Sequence, residues 1–214
     1  MLNETFFEKL KEKIQPYFEE AGSHDFSHTQ RVYNLAVEIG KKEKADLDII
    51  KAAAFLHDIA RLKEDNKECE CHAEEGGKIA EKILAEMNFS YDKIENVVHS
   101  IKVHRYSKKL NAETKEAKIL QDADRLDALG AITIARIFAY GGKKNRKIHN
   151  PELKPQEYKH NSESASSFIH FYEKILKIKP DTFNTKEARK IAKGRYKFVE
   201  EYVDRFLKEW DGKL

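Results

Sequence analysis

Proline and glycine are scarce in this chain, at four and nine of 214 residues. That removes the punctuation of a strand-and-hairpin protein, whose tight turns draw on both at fixed positions. Two cysteines, Cys69 and Cys71, cannot build a disulfide framework. In Cys69-Glu70-Cys71-His72 one residue separates the thiols, where paired structural zinc ligands are two or more apart, and no second pair exists. No apolar run approaches the ~20 residues of a membrane span. The best candidate, residues 131–140, is short and carries Arg136. Charge of one sign is missing too: 40 basic and 37 acidic residues leave a net +3, with no dominant block, which argues against disorder and against a nucleic-acid partner. Residues 1–13 carry both signs and lack the apolar run of a signal peptide. The expectation is a soluble, cytoplasmic protein with no membrane partner.

What is present is apolar residues at helical spacing, which predicts an all-α fold. Leu10 and Ile14 lie four apart in a first segment that ends near Pro16. Val32, Leu35, Ala36 and Ile39 form a second stripe. Asp46 is placed to cap a third helix carrying Leu47, Ile50 and Ala54. Ile79, Ala80, Ile83, Leu84 and Met87 mark a fourth; Ser90 is placed to cap a fifth, with Ile94, Val97, Val98 and Ile101. A sixth starts near Glu113 with Leu120, Ala123, Leu126 and Leu129 and continues or restarts towards Tyr140. Further helices are expected over 164–178 and from Thr185 to about Trp210. Residues 141–162 read as a long basic loop with Lys143, Lys144, Arg146 and Lys147, either a lid over an anionic substrate or a solvated excursion. The expected organisation is a helical core over 1–140, that loop, and C-terminal helices over 163–214 completing one domain.

His57-Asp58 follows the apolar run Ala52-Ala53-Ala54-Phe55-Leu56. An ionisable pair at the end of a hydrophobic helix is costly unless it is paired or binds metal. Alone, the dipeptide is weak evidence, but two other segments support it. His28 opens a helix, with Arg31 on the same face. Asp124 and Asp127 sit at i, i+3 on a side continued by Leu120 and Ala131. Two imidazoles and two carboxylates suit a borderline divalent ion, Mn, Fe, Co, Ni or Zn, more than Ca or Mg. Such an ion makes water a nucleophile near neutral pH and polarises a phosphoryl oxygen.

His28, His57-Asp58 and Asp124 on successive helices resemble the HD-domain superfamily of metal-dependent phosphohydrolases, and more closely its small stand-alone members. The likeness runs through residues 24–32, through Ile119-Leu120-Gln121-Asp122-Ala123-Asp124-Arg125-Leu126-Asp127-Ala128-Leu129-Gly130-Ala131, and through Phe168-Ile169-His170-Phe171-Tyr172-Glu173-Lys174 to Glu209-Trp210, almost the whole chain. The resemblance implies an HD-type helical bundle, a metal held by His28, His57, Asp58 and Asp124, and hydrolysis of a phosphate ester or anhydride of a small metabolite such as a nucleotide. The alternatives are a nucleotide-binding sensor or scaffold without turnover, and a binuclear iron oxygenase, which needs two metals.

Three more histidines, His72, His99 and His104, fall between Asp58 and Asp124, where binuclear members of the superfamily place extra ligands. His99 and His104 are five apart, about 140° around a helix, so both face one point only if the helix ends near Val103. A second metal is the lesser reading; phosphate binding or proton transfer is the other. Asp127, with Asp58, joins these histidines as a candidate catalytic residue, and Arg31, Lys143 and Lys144 are candidate phosphate ligands. Arg125 reads as structural. The aromatic tail (Tyr172, Tyr196, Phe198, Tyr202, Phe206, Trp210) reads as core or dimer surface, which leaves a homodimer open.

Overall fold

The computed structural model describes residues 2–18, 26–158 and 163–214. His24 and Asp25 of the first motif and residues 159–162 of the basic loop lie outside them. Among the described residues the chain is helical throughout, and the one β-bridge, between Lys147 and Ser166, is isolated. No helix among them is long and apolar enough to cross a membrane.

The chain divides into two compact units, one of Met1–Leu126 with Asn184–Ala188, the other of Asp127–Phe183 with Arg189–Leu214. The first unit holds α1 (Glu4–Ile14), α2 (Phe26–Glu43), α3 (Leu47–Leu56), α4 (Arg61–Asp65), α5 (His72–Glu86) and α6 (Tyr91–Val103). It also holds most of α7 (Lys115–Asp127). The expected stripes form its core: Leu10, Ile14, Val32, Ile39, Leu84 and Ile101 are all buried. Helix α3 is buried from Asp48 through Leu56 except at Lys51, and α1, α2 and α6 pack on it, so its C-terminal end emerges at the centre of the unit. Asp46 caps α3 as expected, its carboxylate accepting from the N–H groups of Asp48 and Ile49. Ser90 precedes α6 but makes no cap; its hydroxyl turns to Asp92 instead.

The second unit contains α8 (Ala131–Lys143), α9 (Ile169–Glu173) and most of α10 (Lys186–Trp210). The helix pattern after Glu113 restarts instead of continuing: Gly130 takes φ +89°, a left-handed geometry suited to glycine, and begins α8. Helix α8 then runs through Gly141 and Gly142 to Lys143, so the irregular stretch opens at Lys144. Gly141 has a packing reason: a Cβ there would lie 1.9 Å from Ser167 Oγ. The expected helix over 164–178 shrinks to α9 and a 3₁₀ turn at Ile175–Lys177. The residues just before it turn into the helix, Ser167 and Phe168 donating their N–H groups to the carbonyls of Lys147 and Ile148 at 2.9 Å.

Asp122, in the same α7 turn as Asp124, has a structural task. Its buried carboxylate accepts from the backbone N–H of Asn184 (2.9 Å) and Thr185 (2.8 Å) and from the Thr185 hydroxyl (2.8 Å). Thr185 Oγ1 in turn accepts from Ala188 N–H, capping α10. Asp122→Ala orphans several buried donors at once, and a loss of about 2–4 kcal/mol is expected. Urea unfolding of the variant checks this; an unchanged midpoint would remove the assignment.

Candidate metal centre

The HD dipeptide sits where α3 ends. His57 is the C-cap of that helix, and a turn closed by Arg61 N–H to Asp58 O at 2.9 Å follows it. The His57 Nδ1–H donates to Ala54 O at 2.8 Å, which leaves Nε2 bare and inward. His28, in the first turn of α2, brings its Nε2 to 3.4 Å from that atom. Asp58 Oδ2 lies 3.6 Å from His57 Nε2 and 3.7 Å from His28 Nε2, and Asp124 Oδ1 lies 3.4 Å from His28 Nε2. All but Asp124, whose side chain is 29% exposed, are buried.

Asp58 has a second face. Its Oδ1 lies 3.1 Å from His72 Nε2 and 3.5 Å from His104 Nε2, and those two nitrogens are 3.3 Å apart. His72 is the first residue of α5, and His104 is the C-cap of α6. The His104 Nδ1–H donates to Ile101 O at 2.6 Å, the same arrangement as His57. Ending α6 at Val103 frees His104 to turn inward. His99 stays on the helix side, its Nε2 accepting from Glu113 N–H at 3.3 Å. Of the histidines expected between Asp58 and Asp124, the fold therefore brings two to the centre and leaves His99 apart.

Electrostatics follow the geometry. Burial, helped by the neighbouring histidines, pushes His57 down to about 4, so it is neutral at pH 7 as a ligand must be. For Asp124, burial pushes the other way, but the His28 hydrogen bond and the surrounding imidazoles outweigh it and hold the carboxyl at about 2. Burial likewise opposes a proton on His104, yet Asp58 outweighs it and raises that pKa.

The remaining candidates are placed as follows. Asp127 is buried in the second unit, bonded to Arg136 Nη1 at 2.9 Å, while its carbonyl accepts from the Thr133 hydroxyl. Arg31 Nη1 donates to Ser27 Oγ at 2.9 Å. Lys143 is exposed at the end of α8, and Lys144 pairs with Glu163 at 3.4 Å. Arg125 stacks its guanidinium 3.5 Å from the Tyr106 ring centroid, a structural use. Sequence reasoning passed over Arg61 and Arg105, and brought Glu64, which lies just after His57-Asp58 together with Lys63, only to the mouth of the cleft. Glu64 contacts His72 Nδ1, accepts from His72 N–H at 3.2 Å, and accepts from Arg105 at 3.1 Å. It lies on α4, a five-residue helix too short to announce itself by periodicity.

The donor set fits a divalent ion. Two groups of buried atoms, on His28, His57 and Asp58 and on Asp58, His72 and His104, are close enough for one ion each. Among nitrogens bared by their Nδ1–H bonds and carboxylate oxygens, only a positive charge relieves the convergence of acceptors.

An all-helical frame that gathers imidazoles and carboxylates at its helix ends has the architecture of a helical metal-site protein, and comparison with known proteins narrows the class. The HD domain family matches residues 25–129. The uncharacterized protein YpgQ of Bacillus subtilis (strain 168) is 32% identical over 208 residues, 91% of this chain and 88% of that protein. An HD-superfamily hydrolase from Bacillus thuringiensis superposes with a TM-score of 0.78 at 35% identity, covering 97% of this chain and 98% of the other. A predicted HD superfamily hydrolase from an uncultured Thermotogales bacterium gives 0.71 at 34%, covering 98% and 99%. Bacillus subtilis YpgQ, solved in complex with ADP, gives 0.73 at 30%, covering 96% and 94%. The chain belongs to the HD-domain superfamily.

If His28, His57, Asp58 and Asp124 hold the ion, His28→Ala or His57→Ala lowers Mn²⁺ affinity by more than about 100-fold, beyond the loss typical of outer-shell changes. His99→Ala leaves it within about twofold, since the His99 ring turns to Glu113 N–H instead. Titration calorimetry on metal-stripped protein reads both; a His99→Ala loss equal to that of His57→Ala would contradict the assignment.

Proposed function

We propose that the protein hydrolyses a phosphate ester or anhydride bond of a nucleotide, using one divalent transition ion held by His28, His57, Asp58 and Asp124. The observation that carries this reading is the convergence of His28, His57 and Asp58 within 3.4–3.7 Å of one another, with Asp124 at 3.4 Å from His28 and the second oxygen of Asp58 turned towards His72 and His104. Hydrolase names among the structural relatives support the reaction class, and the ADP complex of YpgQ supports a nucleotide.

When bound, the ion supplies Lewis acidity to a phosphoryl oxygen and to the attacking water. The protein supplies the rest. Asp58 ties the two faces together through its two oxygens. His104 carries a proton at Nε2 beside Asp58 Oδ1, from which the departing oxygen is protonated, with His72 Nε2 3.3 Å away. Arg31, one turn beyond His28, offsets phosphate charge. In this account the His72–His104 face carries a proton in place of a second metal, so metal analysis returns one ion per chain, and two would overturn this part.

A panel of nucleotides and sugar phosphates, incubated with Mn²⁺, Co²⁺ or Ni²⁺ and read by product mass, tests the whole. Release of phosphate or pyrophosphate from a nucleotide is expected, falling by at least about 100-fold in His57→Ala and Asp124→Ala if the chemistry needs the ion. Tight nucleotide binding with no product from any member would select a sensor or scaffold instead.

A further inference from the structure

Three of the inward-facing imidazoles are oriented through Nδ1, and one of them differs from the other two. His57 and His104 each give that proton to the carbonyl three residues earlier in their own helix, Ala54 O and Ile101 O. Such a bond comes with the helix end and needs no other side chain. His72 is the first residue of its helix, so no carbonyl three residues back is part of that helix. Its Nδ1 meets the carboxylate of Glu64, from the neighbouring helix α4.

We propose that Glu64 is a positioning residue that holds His72 in its Nδ1–H form, so that Nε2 alone faces Asp58, His104 and the substrate. Two further contacts show that Glu64 is placed for this. Its Oε2 accepts from the backbone N–H of His72 at 3.2 Å, fixing the base of the side chain as well as the ring. Its Oε1 accepts from Arg105 Nη1 at 3.1 Å, and Arg105 directly follows His104 in the chain. Glu64 thus ties the N-terminus of α5 to the C-terminus of α6, the two places from which His72 and His104 enter the centre. Arg61 Nη1 also approaches His72 Nδ1, at 3.3 Å, but a guanidinium only donates. With a bare Nδ1 the contact with the carboxylate, which only accepts, would be repulsive. A carboxylate behind an imidazole sets the tautomer and stabilises positive charge on the ring.

The proposal rests on the hydrolytic reading only for its effect on rate; the tautomer is separable. Two-bond ¹H–¹⁵N spectra of histidine-labelled, metal-stripped protein, recorded at mildly alkaline pH, report which nitrogen of His72 carries the proton. The expected result is Nδ1–H in the wild type, retained in Glu64→Gln, whose amide oxygen still accepts, and lost in Glu64→Ala. On a hydrolysed substrate, Glu64→Ala lowers kcat by about 10–100-fold, the range for outer-shell partners, with KM little changed. Glu64→Gln recovers most of that loss. Nε2–H in wild-type His72 overturns the proposal without recourse to any variant, as does an unchanged His72 signature in Glu64→Ala. A correct tautomer without hydrolysis of any substrate overturns the functional reading and leaves the role of Glu64 standing.

Discussion

A single buried carboxylate is the constraint on which the rest of the first unit depends. Asp58 is 5% exposed and lies 3.1–3.7 Å from four imidazole nitrogens, two on each oxygen. A charge so placed is tolerable only with positive charge close at hand. The fold answers by ending helices there. His57 terminates α3, His104 terminates α6, His72 starts α5, and His28 lies in the first turn of α2. Helix ends suit the purpose because a side chain there can turn inward without interrupting an apolar stripe. At the two C-terminal ends a carbonyl three residues back also lies within reach of Nδ1.

The apolar packing makes this arrangement affordable in stability. Helix α3 is surrounded by α1, α2 and α6, and its buried face, Ala52 through Leu56, leads straight to the dipeptide. Small residues at 52–54 let the neighbouring helices come close. The segment that supplies Asp124 is anchored separately, by Asp122 fastening α7 to the start of α10. Two acids two residues apart therefore do different work: Asp122 answers backbone donors, and Asp124 answers His28.

Much of this was legible in the sequence, for physical reasons that also mark its limits. The helices of the first unit are long enough for several turns of apolar spacing, so α2, α3, α5 and α6 could be placed, as could the Asp46 cap. The candidate ligands stood out because they interrupt or terminate apolar stripes. Around 164–178 the same spacing misled: Phe168, Phe171 and Ile175 are buried by a turn, a short helix and a 3₁₀ turn as well as they would be by one helix. His99 and His104 were equivalent on paper. They separate only because α6 stops at Val103, a boundary that periodicity does not mark sharply. The place of Glu64 near the cleft followed from its position after His57-Asp58, but its contact with His72 did not, because that contact joins two helix ends and nothing in its own surroundings in the chain signals it.

The central claim is that His28, His57, Asp58 and Asp124 hold one divalent ion. Crystals grown with Mn²⁺ and measured at the manganese absorption edge test it most directly. The account predicts one anomalous peak per chain, within about 2.0–2.3 Å of a nitrogen or oxygen from each of the four side chains, the range of first-row metal bonds. A peak held only by Asp58, His72 and His104, or no peak at saturating Mn²⁺, would contradict it.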